Sequence, residues 1–368
     1  MSNSVMMNIQ VERLTPQKEN AYLDLLYASE GNLLYTSLFY RDLIVAQTGA
    51  QSNYLVAENE QGQLIGALPL MDYEHPRFGP VINSLPYYGS NGAVMAHPEL
   101  SQTQKEKVYQ QLLHAAEAYA RDRHCAAMTL ISNPFDRNYE TWLATHFNHD
   151  HQSNRIGQIT PLPVNGPSLA SDVLKLFSEP RPRNIRKAIK SKVSVRKSHD
   201  LNDLLFLHSV HVENINAIGG KPKERSFFER IHQTVPAEHW TLYMAEREGE
   251  RVAGLLVFAF NKTVEYYTPA TVVAYRNLQP SALIIYQAMI EAAKAGNKYW
   301  NWGGTWNTQH GVYNFKRRWG TIDSRYAYFT KVFNRELLEQ SPETLLQAYP
   351  DIYVLPFDQL KQGSMNNS

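Results

Sequence analysis

Seventeen consecutive residues, Arg181–Pro–Arg–Asn–Ile–Arg–Lys–Ala–Ile–Lys–Ser–Lys–Val–Ser–Val–Arg–Lys197, hold eight basic side chains and no acidic one. Positions 183, 186, 187 and 190 recur at helical spacing along one side. This is either a solvated helix face or a surface for phosphate or carboxylate. A nucleic-acid backbone, a nucleotide diphosphate and a carboxylated peptide all fit the second reading. A second cassette is Tyr299–Trp–Asn–Trp–Gly–Gly–Thr305 followed by Gly311–Val–Tyr–Asn–Phe–Lys–Arg–Arg–Trp–Gly320. Gly303 and Gly304 after a strand permit a tight turn and close approach of a ligand. Phe315 and Trp319 share a helical face, Lys316 and Arg317 point elsewhere, and Gly320 ends the short helix. Structurally this is a packed aromatic strand end with a basic helix cap. Chemically, an ammonium fixed at Lys316 beside the glycine turn can hold a donor phosphate or a developing oxyanion.

The elements that must position these cassettes come as a repeat. Tyr54–Leu–Val–Ala–Glu58 leads through a polar turn to Leu64–Ile–Gly–Ala–Leu68, and Leu242–Tyr–Met–Ala–Glu246 leads to Val252–Ala–Gly–Leu–Leu256. Each reads as a β-hairpin. Val108–Ala118 resembles Ile285–Ala295, both with a helical apolar stripe. Pro280 suits the first turn of the second helix and Gly296 its exit. Aromatic segments at Pro86–Gly89 and Glu265–Thr268 lie between the two matches, and a short strand follows each helix. The order strand, strand, strand, helix, strand therefore occurs twice. It predicts an α/β (α+β) chain of two domains, 5–165 and 170–345, with a C-terminal tail at 346–368. Each domain should be a mixed, mostly antiparallel sheet flanked by helices.

Composition sets outer limits. Among 368 residues, 36 Lys+Arg balance 35 Asp+Glu, so the chain as a whole is not built for polyanions and DNA is not an expected partner. The single cysteine, Cys125, excludes an intramolecular disulfide framework and suits a buried small hydrophobe. Met1–Glu12 lacks a basic segment followed by an apolar run, and no stretch reaches the ~20 apolar residues of a membrane span. A cytoplasmic setting is expected, with peripheral membrane contact left open.

Arg183–Asn–Ile–Arg–Lys–Ala188, Val193–Ser–Val195, Pro280 opening a helix, Gly296, the Gly303–Gly304 strand end and Phe315–Lys316 before Gly320 together resemble the FemAB-like transferases. The resemblance is clear over 180–325 and weaker over 50–130. It implies two tandem GNAT (acetyltransferase-type) domains, which agrees with the repeat. It also implies acyl or aminoacyl transfer to an amino group of a cell-envelope or polysaccharide precursor, small-molecule or lipid-linked. Carried over, Phe315–Lys316 matches the family's pair near the acyl-donor channel, and Arg183 or Arg186 matches its acceptor-binding basic position. The donor stays open between acyl-CoA and aminoacyl-tRNA, although the long charged helical arm that some members use beside tRNA is absent from the sequence. The stretch equivalent to the acetyl-CoA pyrophosphate loop is Arg276–Asn–Leu–Gln–Pro–Ser–Ala282. Gln279 and Ser281 replace its two glycines and Pro280 removes an N–H, so a weakened phosphate grip is expected.

Direct acyl transfer needs a deprotonated amine, a stabilised oxyanion and a proton for the leaving group. Asp72, Glu74 and Glu265, at expected strand ends, are candidate bases. Tyr266 and Tyr267 are candidate proton donors. Lys316, Asp72 and Tyr267 are taken as the catalytic set; Phe315, Lys316, Gly303, Gly304 and Arg276 as donor-binding; Arg183 and Arg186 as acceptor-binding. His146, His149 and His151 have no helical metal-ligand spacing, and no metal is expected. No Gly-x-Ser-x-Gly elbow or P-loop occurs, which disfavours serine hydrolase and nucleotide kinase chemistry. The competing class is a duplicated GNAT fold that has kept only a groove for an anion, peptide or nucleotide sugar.

Overall fold

The computed structural model describes residues 7–84, 89, 92–306, 308–350 and 352–356. Of the aromatic segment expected at Pro86–Gly89, Pro86 to Tyr88 lie outside the described residues. The chain forms two compact units, residues 1–155 with 325–368, and residues 156–324.

In the first unit an antiparallel hairpin, β3 and β4, is flanked by two outer strands. Its strands are β1 (Gln10–Arg13), β2 (Gln51–Ser52), β3 (Leu55–Glu58), β4 (Leu64–Leu68), β5 (Met71–Tyr73), β6 (Val81–Asn83), β7 (Met95–Ala96) and β8 (Ala127–Ile131). Helices α1 (Glu19–Ala28), α2 (Leu38–Thr48), α3 (Gln102–Asp122) and α4 (Arg137–His146) accompany them. One sheet has the order β1-β3-β4-β7, and β2, β5, β6 and β8 neighbour one another in a second. Helix α3 begins at a capping box of Ser101 and Gln104 and buries Val108, Leu112 and Ala116, as the stripe predicted. Cys125 is buried, and burial pushes its thiol up to about 12, which makes it an inert core residue.

The second unit takes over within strand β9 (His151–Pro161). It contains α5 (Leu169–Lys175), α6 (Arg181–Lys190), β10 (Ser194–Ser198), α7 (Leu201–Asn216), α8 (Arg225–Thr234), β11 (Trp240–Arg247), β12 (Glu250–Phe260), β13 (Thr263–Thr271), α9 (Pro280–Lys294), β14 (Tyr299–Thr305) and α10 (His310–Arg317). Its sheet runs β10-β11-β12-β13-β14-β9. Every pairing is antiparallel except β13 with β14. The core joins the apolar face of α9 to β11 and β12 and to the indoles of Trp300, Trp302 and Trp319.

The expected domain bounds and the observed units differ at the strand that follows each repeat. Residues 156–161 of β9 pair with β14 in the second unit. From Arg325 onward, strand β15 (Ile322–Val332) belongs to the first unit, where it pairs antiparallel with β8. The tail expected from 346 is also packed as far as it is described. Helix α11 (Pro342–Ala348), Tyr349, Val354 and Leu355 join Phe78 and Val81 in a cluster of the first unit.

Candidate active site

Strands β13 and β14 pair only over Thr263–Glu265 and Tyr299–Asn301. Past that point each strand carries a bulge. On β13 the register shifts by one residue at Tyr267; on β14 it shifts between Asn301 and Gly304, with Gly303 at φ 70°. An extra residue bends a strand and raises its twist, so the two strands part. Asn301 sits at the apex, where Nδ2 donates to Glu265 Oε1 at 3.2 Å and Oδ1 accepts from Gly303 N–H at 2.9 Å. The Gly303–Gly304 pair is thus a bulge inside β14 rather than the turn expected after it.

Beside the parted strands lies a cavity of about 330 Å³. Tyr266, Ala270 and Thr271 line it from β13, Arg276, Gln279 and Ser281 from the start of α9, Phe315 and Trp319 from α10 and its exit, and Arg181 from α6; no Asp or Glu lines it. Trp319, Phe315, Trp302 and Tyr266 form a continuous aromatic wall, with ring centroids 4.7–6.3 Å apart. Burial holds the Tyr266 phenol above its ordinary value, so it keeps its proton at neutral pH.

The start of α9 keeps the backbone shape of a glycine turn. Gln279 adopts the left-handed conformation, φ 62° and ψ 38°, that a glycine would take. Pro280 occupies the first helical turn, where its missing N–H has no intrahelical partner to lose. The turn keeps its shape without its glycines. Its left-handed Gln carries a strain of about 1 kcal/mol. Gln279→Gly is expected to raise unfolding free energy by roughly 0.5–1 kcal/mol in a denaturant titration, the αL relief exceeding the lost bond from Gln279 Nε2 to Arg276 O. A fall instead would show that this bond, not a glycine-like turn, holds the loop.

Lys316, Gly303 and Gly304, expected to bind the donor, do not line the cavity. Lys316 is buried at 7% exposure, and Nζ donates to Thr305 Oγ1 at 2.9 Å and Gly304 O at 3.1 Å, with Gly303 O at 3.5 Å. Two of its three donors are well used, both on the far end of β14. Burial pushes its pKa down to about 8. The expected association of Lys316 with Gly303 and Gly304 is therefore present as direct hydrogen bonds.

The other sequence candidates are dispersed. Phe315 and Arg276 line the cavity. Arg183 and Arg186 are exposed on α6 and do not line it; Arg186 faces Glu179 at 3.6 Å. Tyr267 packs against Phe227 and Phe258, with Lys223 Nζ 5.1 Å from its ring, and it does not line the cavity. Asp72 lies in the first unit, fully buried, accepting from the Tyr119 hydroxyl with Arg123 at 4.0 Å. Burial raises its pKa against the effect of the Tyr119 bond. A carboxyl sealed in this way has no path to an amine. Glu74 pairs with Arg123 at the surface. His146 and His149 each use Nδ1 on a backbone carbonyl, of Trp142 and Phe147. Among the described residues no group of three or more His, Cys, Asp or Glu is placed to hold a metal ion. Sequence reasoning passed over Arg181, whose signal was its place at the first turn of the basic helix, and Gln279, whose signal was its place at a glycine position.

Parallel strands that pair briefly and then part, with a left-handed turn opening the next helix beside them, are the frame of an acetyltransferase domain. Residues 182–317 match the family model described as an acetyltransferase (GNAT) domain. The structure of FemX is similar over 89% of this chain and 98% of that one, with a TM-score of 0.71 and 16% identity. In fold, the chain is a tandem GNAT protein, similar to FemX. A tandem GNAT protein from the clavulanic acid biosynthesis pathway is similar over 88% of this chain and 98% of its own (TM-score 0.52, 12% identity). The C-terminal domain of a putative lysylphosphatidylglycerol synthetase from Agrobacterium fabrum is similar over 92% and 98% (TM-score 0.52, 8% identity). No curated protein matches the chain in sequence. The two GNAT copies expected from the repeat are present. Among the described residues no helix of this tandem GNAT chain is long and apolar enough to cross a membrane.

Proposed function

We propose that the second unit is an N-acyltransferase that takes its acyl group from an acyl-CoA and delivers it to an amino group of a cell-envelope or polysaccharide precursor. The observation that carries this is the acid-free cavity running along the parted β13 toward the start of α9. An elongated donor with an anionic end fits a cleft with aromatic walls, a helix N-terminus and Arg276 at its rim. Aminoacyl-tRNA has no comparable feature in its favour. The likeness to FemX and to the synthetase domain, together with the FemAB-like motifs, supports an envelope acceptor, small-molecule or lipid-linked, in a cytoplasmic setting.

The chemistry asks little of the protein beyond positioning. The acceptor nitrogen attacks the thioester carbonyl, the C–N bond forms as C–S breaks, the nitrogen sheds one proton and the thiolate takes one up. In this reading Tyr266, which lines the cavity, passes a proton to the thiolate and regains one from the nitrogen. Lys316 fixes the end of β14 through Gly304 O and Thr305 Oγ1.

Thiol release from acetyl-CoA, followed with a panel of amino sugars, amino-sugar nucleotides and aminophospholipid vesicles, tests the reading. Release that requires one class of amine is expected. CoA binding with no release for any amine would leave a groove that holds a ligand and transfers nothing.

A further inference from the structure

The start of α9 offers fewer phosphate donors than a glycine loop, because Pro280 lacks an N–H. The cavity nevertheless carries a cation that no carboxylate among the described residues neutralises. Arg181 is half-buried on the aromatic wall, its guanidinium carbon 4.4 Å from the centroid of Phe315 and 4.9 Å from that of Trp319. One terminal nitrogen donates to Phe315 O at 3.3 Å, and the buried Nε has no partner. Among the described residues no carboxylate lies within ion-pair distance of it, and the nearby charge that acts on it is the like-signed Arg318. A guanidinium lodged on aromatic faces with unused donors is costly to leave uncompensated. Its planar fork suits phosphate oxygens better than a lone ammonium does.

We infer that Arg181 is a specificity-determining residue that binds a phosphate of the acyl donor, supplying from α6 the contact that the altered loop lacks. This rests on the acyl-CoA reading of the cavity and names the group by which the donor is held. Stacking on Phe315 and Trp319 pre-sets the guanidinium, so little freedom is lost on binding. The diphosphate and the 3′-phosphate of CoA carry the same chemistry, and either can be the group that meets it.

The test is calorimetric titration of wild type, Arg181→Met and Arg181→Lys with CoA, 3′-dephospho-CoA and inorganic pyrophosphate, alongside melting temperatures. Arg181→Met keeps an apolar stem over the rings and should weaken CoA about 10- to 100-fold, the range for a hydrogen-bonded charged group. Arg181→Lys should fall between it and wild type. An equal loss for CoA and dephospho-CoA assigns the diphosphate; a loss confined to CoA assigns the 3′-phosphate. Either supports the inference. If wild type binds pyrophosphate through Arg181 but no CoA, Arg181 is a phosphate site but not the donor's, and the acyl-CoA reading fails together with the assignment to the donor. If Arg181→Met binds CoA and pyrophosphate as wild type does, whether or not it melts earlier, Arg181 only covers the rings and the inference is overturned.

Discussion

Lys316→Met is expected to lower single-turnover acyl transfer by about 100-fold while the protein stays folded. The ammonium is buried, and its bonds to Gly304 O and Thr305 Oγ1 tie the helix α10 to the bulged end of β14. Methionine fills most of the same volume but releases that strand end and removes the buried charge. Two opposed terms govern stability. Losing the hydrogen bonds costs about 1–3 kcal/mol, although Thr305 Oγ1 retains its donation to Gln158 Oε1. Removing a charge that burial disfavours returns part of this. The sign of the pH effect separates a charge role from simple packing. With a folded pKa of about 8 against an unfolded value of 10.5, Lys316 is neutral in the folded protein and charged in the unfolded chain between those values. The unfolded state binds more protons there, so this group makes wild type more stable as pH rises from 8 to 10.5, and Lys316→Met should lose that rise. If the charge serves transfer, wild-type kcat should also fall above pH 8 in a way the variant does not share. Undiminished transfer in the variant would end the role assigned to Lys316.

Trp319→Ala should have the largest effect on stability, about 3–5 kcal/mol. The indole is 1% exposed and touches Phe177, Trp302 and Phe315 with centroids 4.9, 5.8 and 6.3 Å away, and Arg181 lies over it. Its backbone carbonyl also accepts from Thr160 Oγ1 at 3.1 Å, so the residue joins α10's exit to β9. Alanine would leave a void among rigid rings that cannot collapse into it. At this size the melting temperature should drop by roughly 10 °C, and donor binding should weaken with the loss of the wall. Trp319→Phe should recover most of both. A melting temperature within 2 °C of wild type would show that Phe177 and Phe315 close the gap.

What could be read from the sequence was local. The two hairpins, helices α3 and α9, and the Phe315–Trp319 face declare themselves by period and by caps, because the forces that set them act within a few residues. The basic run was legible as a helix, and Ile185 and Ala188 do form its buried face. Which cation would meet the cavity was not, since that depends on where α6 docks. Arg181, at its first turn, lies on the rings, and Arg183 and Arg186 face outward. Gly303 was legible as a conformational exception, but a left-handed glycine serves a turn and a bulge equally well, and only the partner strand distinguishes them. Asp72 looked like a strand-end acid because it closes the apolar run Ala67–Met71 just before the polar Glu74 and His75. Its lid, Tyr119, comes from a helix 47 residues on. The partners of β9 and β15 were illegible for the same reason.

The placement of β15 has a consequence for how the chain comes into being. Ala327 and Phe329, on that strand, belong to the same buried cluster as Leu55, Val108 and Met128. Ala127 has Val332 for its neighbour across the ladder. A ribosome that has released the whole first repeat has therefore not yet released the material to finish its core, and the entire second unit must emerge before it can. Contacts of such long sequence separation close slowly, with apolar surface waiting in the meantime. The two copies are thus not modules that recombination can deal out singly. The first unit's core is complete only once the second has been made.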